Sequence, residues 1–211
     1  MIIYEKVRQG SEEWHAMRRG RPTASQFSRI ITSKTGALSK SADDYISELI
    51  AECFCPEWVD FAGNKYTDRG TELEPEARAA FEAHTGLEVH QVGFCTREDG
   101  YVGCSPDGLI MGADSHWIQG AEFKCPAPKT HVGYVREGVL PDAYVQQVHG
   151  SMAVTGLNSW HFFSFFPGLK PFHLLVKRDD YTEKLSKALD QFMIDYGKAR
   201  ELVIPKLRIA A

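Results

Sequence analysis

The sequence predicts an α/β (α+β) fold, a central mixed β-sheet flanked by helices. Three observations lead to it. Apolar residues before position 87 recur at helical spacing, whereas from Leu87 they follow the shorter period of strands. After residue 124, helical and strand-like stretches alternate, an order that packs helices on both sides of one sheet. No linker, internal repeat or low-complexity tract interrupts the chain, which reads as a single domain over residues 1–211.

Taken in order, Thr23-Ala24-Ser25-Gln26 has the spacing of a capping box, so a helix start is expected near Thr23. Residues 43–54 carry Ile46, Leu49, Ile50 and Cys53 on one helical face. Thr67–His84 has its stripe at Leu73, Ala77, Ala80, Phe81 and His84, with Gly86 as the stop. Pro75 lies inside that span, where a helix either begins or kinks. Strands are expected over 88–96, 100–104, 108–111 and 117–124, with Ser105-Pro106-Asp107-Gly108 as turn chemistry between two of them. Helices over 129–137 and 142–155 follow, then aromatic and β-branched strands over 158–166 and 172–177. A last helix runs from Tyr181 to about Leu202 on Leu185, Leu189, Phe192, Met193 and Tyr196.

At 211 residues the chain is long enough for one sizeable core. Its net charge of −4 argues against coating nucleic acid by bulk electrostatics, although Arg18, Arg19, Arg21, Arg29, Lys34 and Lys40 form a local basic cluster. Five cysteines without a CxxC pair predict free thiols rather than a disulfide framework, zinc site or iron–sulfur cluster. The opening Met1-Ile2-Ile3-Tyr4-Glu5-Lys6 lacks the form of a signal peptide, and no stretch approaches the ~20 apolar residues of a membrane span. A cytoplasmic protein is expected.

The chemistry concentrates in Cys104-Ser105-Pro106-Asp107-Gly108 and Ala121-Glu122-Phe123-Lys124-Cys125-Pro126. Alternation along a strand puts Glu122 and Lys124 on one side, and a preceding hairpin can bring Asp107 beside them. Two carboxylates and an ammonium at one point suit a divalent ion and a water that attacks phosphorus. Separately, Glu-x-Lys reads as a solvated strand face and Ser-Pro-Asp-Gly as an ordinary turn. Together they carry more weight, because charges within the apolar run around Ile118, Ala121, Phe123 and Cys125 need compensation.

These motifs resemble the PD-(D/E)xK nucleases, and within them the phage lambda-type exonucleases with their YqaJ-like viral recombinase relatives. The likeness covers nearly the whole chain. It runs through Trp14-His15-Ala16-Met17-Arg18-Arg19-Gly20, Thr23-Ala24-Ser25, Gly70-Thr71-Glu72-Leu73-Glu74-Pro75-Glu76-Ala77, the two runs above, and Ala143-Tyr144-Val145-Gln146-Gln147, in the family's order. It implies a metal held by Glu74, Asp107, Glu122 and the backbone carbonyl of Phe123. Oxygen ligands alone select Mg²⁺, with Mn²⁺ as substitute, in one or two ions. Glu74 also reads as a surface partner of Arg78 four residues on. Lys124 is the implied catalytic lysine, its charge left open by opposing influences. Gln147 resembles the family's water-orienting glutamine, with Gln146 as competitor by register.

The likeness further assigns Arg18, Ser25 and Ser105 to a DNA 5′-phosphate. Arg18, Thr23 and Ser25 already stand around an expected helix start, where free N–H groups favour an anion. Trp14 reads as core or as a base-stacking wedge, and the eight histidines show no paired ligand spacing. The implied activity is 5′→3′ digestion of linear double-stranded DNA, releasing mononucleotides and leaving 3′ overhangs for phage or prophage recombination. The implied assembly is a homotrimeric ring working with a single-strand annealing recombinase. Rival readings are a PD-(D/E)xK endonuclease, a Cas4-like nuclease and a non-catalytic DNA-end-binding module.

Overall fold

The computed structural model describes residues 1–55 and 65–207. Strand β1 (Ile2–Tyr4) leads into helix α1 (Glu12–Arg18), whose Ser11 cap accepts a bond from the Trp14 backbone N–H. A short 3₁₀ turn (Ala24–Arg29), α2 (Ala42–Phe54) and α3 (Lys65–Thr85) follow. Helix α3 runs through Pro75, which is exposed. It stops at Gly86, whose φ of +72° only glycine adopts without strain.

The strands separate into two sheets. Strands β1, β2 (Phe94–Thr96) and β3 (Gly103–Cys104) form an antiparallel three-stranded sheet. Strands β4 (Gly108–Met111), β5 (Trp117–Lys124), β6 (Ser159–Ser164) and β7 (Phe172–Lys177) form a second, mixed sheet in that order, with β5 and β6 parallel. The expected mixed sheet flanked by helices is present, a smaller antiparallel sheet accompanies it, and His90 pairs with Leu109 of β4 in an isolated bridge. Gly93 presses against the Val7 backbone, where a Cβ would lie 1.8 Å from the carbonyl oxygen, and β2 starts only after it, at Phe94, later than the expected 88–96 strand. Pro106 cannot donate to a ladder, so the chain leaves β3 and enters β4 in the other sheet.

Helix α4 (Pro128–Glu137), a 3₁₀ turn (Asp142–Tyr144), α5 (Val145–Thr155) and the long α6 (Asp180–Leu207) complete the fold. The larger apolar cluster lies under the first 3₁₀ turn, α2, α5 and α6; a smaller one joins Ala77 and Phe81 of α3 to Phe123 and Phe163 of the mixed sheet. Helix α5 is buried along most of its length and touches the first 3₁₀ turn so closely that a Cβ on Gly150 would sit 2.3 Å from the Phe27 ring. At Thr23 the expected capping box does not form: the turn is 3₁₀, the side chain makes no cap bond, and its hydroxyl accepts from Arg18. Among the described residues, no helix is long and apolar enough to cross a membrane.

A polar ladder crosses the α3 side of the mixed sheet. The Gln119 amide oxygen accepts from His161 Nε2 at 3.1 Å, which leaves His161 Nδ1 to accept from His173 Nε2 at 2.9 Å. Burial, then the neighbouring His173, pushes His161 down to about 4; burial also lowers His173. The folded state therefore resists a proton that the unfolded state accepts near 6.5, so stability is lost as pH falls from about 6.5 through about 4. His161→Gln is expected to flatten the fall in Tm over that window, and an unchanged profile would contradict it.

Candidate active site

Strand β5 holds the acidic centre because its side chains alternate between two packed layers. Phe123 points into the α3 cluster, while Glu122 and Lys124 face the other way, toward α5. Glu122 is 1% exposed. Its Oε1 accepts from Lys124 Nζ at 2.5 Å and from Gln147 Nε2 at 2.6 Å, while Oε2 is buried without a partner. Burial pushes Glu122 up to about 8; Lys124 pulls it back, and Asp107 and Glu74 push it further. Burial also opposes the charge of Lys124, but Glu122 and Asp107 more than offset it and its pKa stands above the usual lysine value. Its carboxylate neighbours thus favour the ammonium form in this arrangement. The ring of Tyr144, one turn before Gln147, lies 5.1 Å from Nζ and adds a cation–π contact.

Asp107 enters from the turn before β4. Its Oδ2 accepts from the Phe123 N–H at 2.5 Å, and its own N–H donates to Ala121 O. Glu74 comes from α3 and pairs with Arg78 at 2.9 Å, the contact its helical spacing foresaw. Burial raises both carboxyls, and Asp107 raises Glu74 further. Among the described residues, no three His, Cys, Asp or Glu side chains are already gathered as a coordination shell. The donor chemistry nonetheless fits a hard cation. All the candidate ligands are oxygens, three mutually opposed carboxylates lack positive charge beyond Lys124 and Arg78, and Glu122 keeps one buried oxygen open.

The competing glutamines part company here. Gln147 reaches Glu122, whereas Gln146 turns away and donates to Ile31 O at 3.1 Å.

A second cluster forms around Arg18. Its Nη1 donates to Ser105 Oγ at 3.1 Å, and Nη2 donates to Thr23 Oγ1 at 3.1 Å and Ser25 Oγ at 3.2 Å. Trp14 is half-buried and belongs to this cluster, neither core nor free wedge. Its Nε1 donates to Ser105 Oγ at 2.9 Å and its ring lies 4.3 Å under the guanidinium. Burial lowers the Arg18 pKa, but an arginine remains charged. Of the other basic residues, Arg29 is committed to Glu48 at 2.7 Å and to the Tyr45 ring, and Lys34 pairs with Asp142. The two clusters meet in Ser105-Pro106-Asp107, whose central carbonyl accepts from Gln9 Nε2 at 2.8 Å. Sequence reading missed Gln9, Tyr144 and the role of Trp14. The Trp14/Arg18 spacing of one helical turn was the available signal for the last.

The YqaJ-like viral recombinase domain matches residues 13–158. In structure, the chain is similar to an alkaline exonuclease (LHK-Exo) from Laribacter hongkongensis, at 30% identity and TM-score 0.73, covering 92% of this chain and 99% of that one. It is similar at 29% identity and TM-score 0.72, with the same coverage, to LHK-Exo in complex with dAMP. A phage related exonuclease from Haemophilus somnus 129PT shares the fold at 17% identity and TM-score 0.62, over 90% of this chain and 99% of that one. No curated protein sequence matches the chain. The chain belongs to the YqaJ-like viral recombinase family, and it is a nuclease, a hydrolase that acts on DNA as an exonuclease.

The contrast between the glutamines gives a test. Gln147→Ala is expected to slow DNA digestion at least tenfold with little change in Tm. Gln146→Ala, which strands the Ile31 carbonyl, is expected to cost about 1–2 kcal/mol of stability. Reversal of the two phenotypes in parallel melting and nuclease assays would refute the assignment.

Proposed function

We propose that the chain is a metal-dependent 5′→3′ exonuclease of the PD-(D/E)xK type, working from the ends of linear double-stranded DNA. It releases mononucleotides and leaves 3′ single-stranded overhangs for strand annealing. The observation that carries this is the joining of an anion pocket to an acidic centre by two peptide units, Ser105 to Asp107. At most about 7 Å of extended backbone separates them, a span on the scale of one nucleotide. The complex of LHK-Exo with dAMP agrees with a mononucleotide product.

In the pocket, Arg18 offers a guanidinium fork to the terminal 5′-phosphate, and Ser25 and Ser105 offer hydroxyls. At the acidic centre, Glu74, Asp107, Glu122 and the Phe123 carbonyl would hold Mg²⁺, or Mn²⁺ in its place, as one ion or two. Such an ion, when bound, supplies Lewis-acid charge at the phosphate and acidifies water. Lys124, as an ammonium held beside Glu122, would stabilise negative charge building on the scissile phosphoryl group. Gln147, held against Glu122, orients the attacking water with its amide. Glu122 and Asp107 hold Lys124 in place through charge.

A single digestion series tests this. Linear 5′-phosphorylated duplex should be degraded in Mg²⁺ or Mn²⁺ and spared in Ca²⁺ or chelator, with its 5′-hydroxyl twin degraded more slowly. Arg18→Ala should erase that difference, and Glu122→Gln should reduce cleavage at least 100-fold. Cutting of closed circles would turn the reading toward an endonuclease. Equal rates on the two end types would remove the 5′-phosphate pocket.

The working form is proposed to be a homotrimeric ring that retains DNA topologically, partnered by a single-strand annealing recombinase. A ring of this kind reconciles a net charge of −4 with sustained digestion. Light scattering should return the mass of three chains, and a monomeric mass would contradict the ring.

A further inference from the structure

We infer that Trp14 is a specificity-determining residue of the end pocket, because its indole N–H forces the Ser105 hydroxyl to donate to the bound anion. The inference rests on the 5′-phosphate reading of that pocket and deepens it.

A serine hydroxyl has one hydrogen to give and two lone pairs to receive with. Both lone pairs of Ser105 Oγ are met here, one by Trp14 Nε1 at 2.9 Å and the other by Arg18 Nη1 at 3.1 Å. Neither partner can accept: indole and guanidinium are donors only. The Ser105 hydrogen therefore has no use inside the cluster and turns outward. Across the guanidinium, Thr23 and Ser25 are likewise met by Arg18 Nη2, and at 3.5 Å they can share at most one hydrogen between them. At least two hydroxyl hydrogens thus point away from Arg18, beside its positive charge. Ser105 presents a donor and withholds its acceptors, while Thr23 and Ser25 keep at least one open lone pair between them. The pocket welcomes an anion whose oxygens only accept, and a neutral 5′-hydroxyl gains less from it.

Trp14 controls this wiring twice. Its ring, 4.3 Å from the Arg18 guanidinium carbon, holds the fork flat over the indole. Its N–H occupies the lone pair that would otherwise let the Ser105 hydroxyl rotate and accept from water or from the end hydroxyl. The lone pair is within reach because Ser11 caps α1 and sets the first turn, from which Trp14 projects.

The test separates the N–H from the ring. Trp14→Phe keeps an aromatic face under Arg18 and removes the donor. The ratio of initial digestion rates on 5′-phosphorylated and 5′-hydroxyl duplexes is expected to fall about 3- to 10-fold against wild type, the net effect of one ordinary hydrogen bond. General damage to the fold slows both substrates alike and leaves the ratio in place. Ser105→Ala and the double variant complete a cycle. Once Ser105 is alanine, adding Trp14→Phe should lower the ratio no further. A wild-type ratio retained in Trp14→Phe, or full additivity with Ser105→Ala, overturns the inference while the pocket reading survives. A wild-type enzyme that does not distinguish the two ends overturns the pocket reading, and this inference with it.

Discussion

A carboxylate buried in an apolar strand is the constraint on which the rest of this molecule depends. Glu122 lies between Ala121 and Phe123 in the middle of a sheet, 1% exposed. Leaving a buried polar oxygen without its partner costs about 1–3 kcal/mol, so the groups that meet it are not free to drift. Lys124 meets it from the same strand, and Gln147 from α5. Gly150, three residues beyond Gln147, lets α5 close on Phe27 in the first 3₁₀ turn. That turn carries Ser25 and follows Thr23. A chain of contacts therefore runs from the buried acid to the anion pocket through packed elements, in addition to the covalent path through Ser105 and Asp107.

Much of the acidic centre was legible because strand alternation is a strict rule. Once 117–124 reads as a strand, Glu122 and Lys124 must share a face and Phe123 must oppose them, and the structure has all three so. The later helices and strands were legible for a similar reason, since their apolar periods are long and uninterrupted. The smaller sheet was not. There β1 pairs with β2, and Gly93 meets the Val7 backbone 86 positions away, contacts that no local pattern signals.

The polar assignments divide along the same line. The Glu74–Arg78 pair could be read from spacing because both residues sit on one helix. Gln146 and Gln147 could not be separated, since adjacent helical positions differ by about 100° and either could have faced the sheet. Arg29 looked like part of a basic surface, but its partners Glu48 and Tyr45 lie on α2. Thr23 looked like a helix cap, and a longer-range donor, Arg18, claimed its hydroxyl. In each case a tertiary partner outcompeted a local rule.

Gln9 has a practical bearing on where this domain begins. The family likeness starts at residue 13, yet the Gln9 amide bridges the carbonyls of Val92 and Pro106, the latter between Ser105 and Asp107. A fragment trimmed to the borders of the likeness would keep every motif residue and lose the brace behind them. It would lose β1 as well, baring the β2 edge of the smaller sheet. Family borders mark where relatives resemble one another, and here the working unit reaches further toward the N-terminus than the resemblance does.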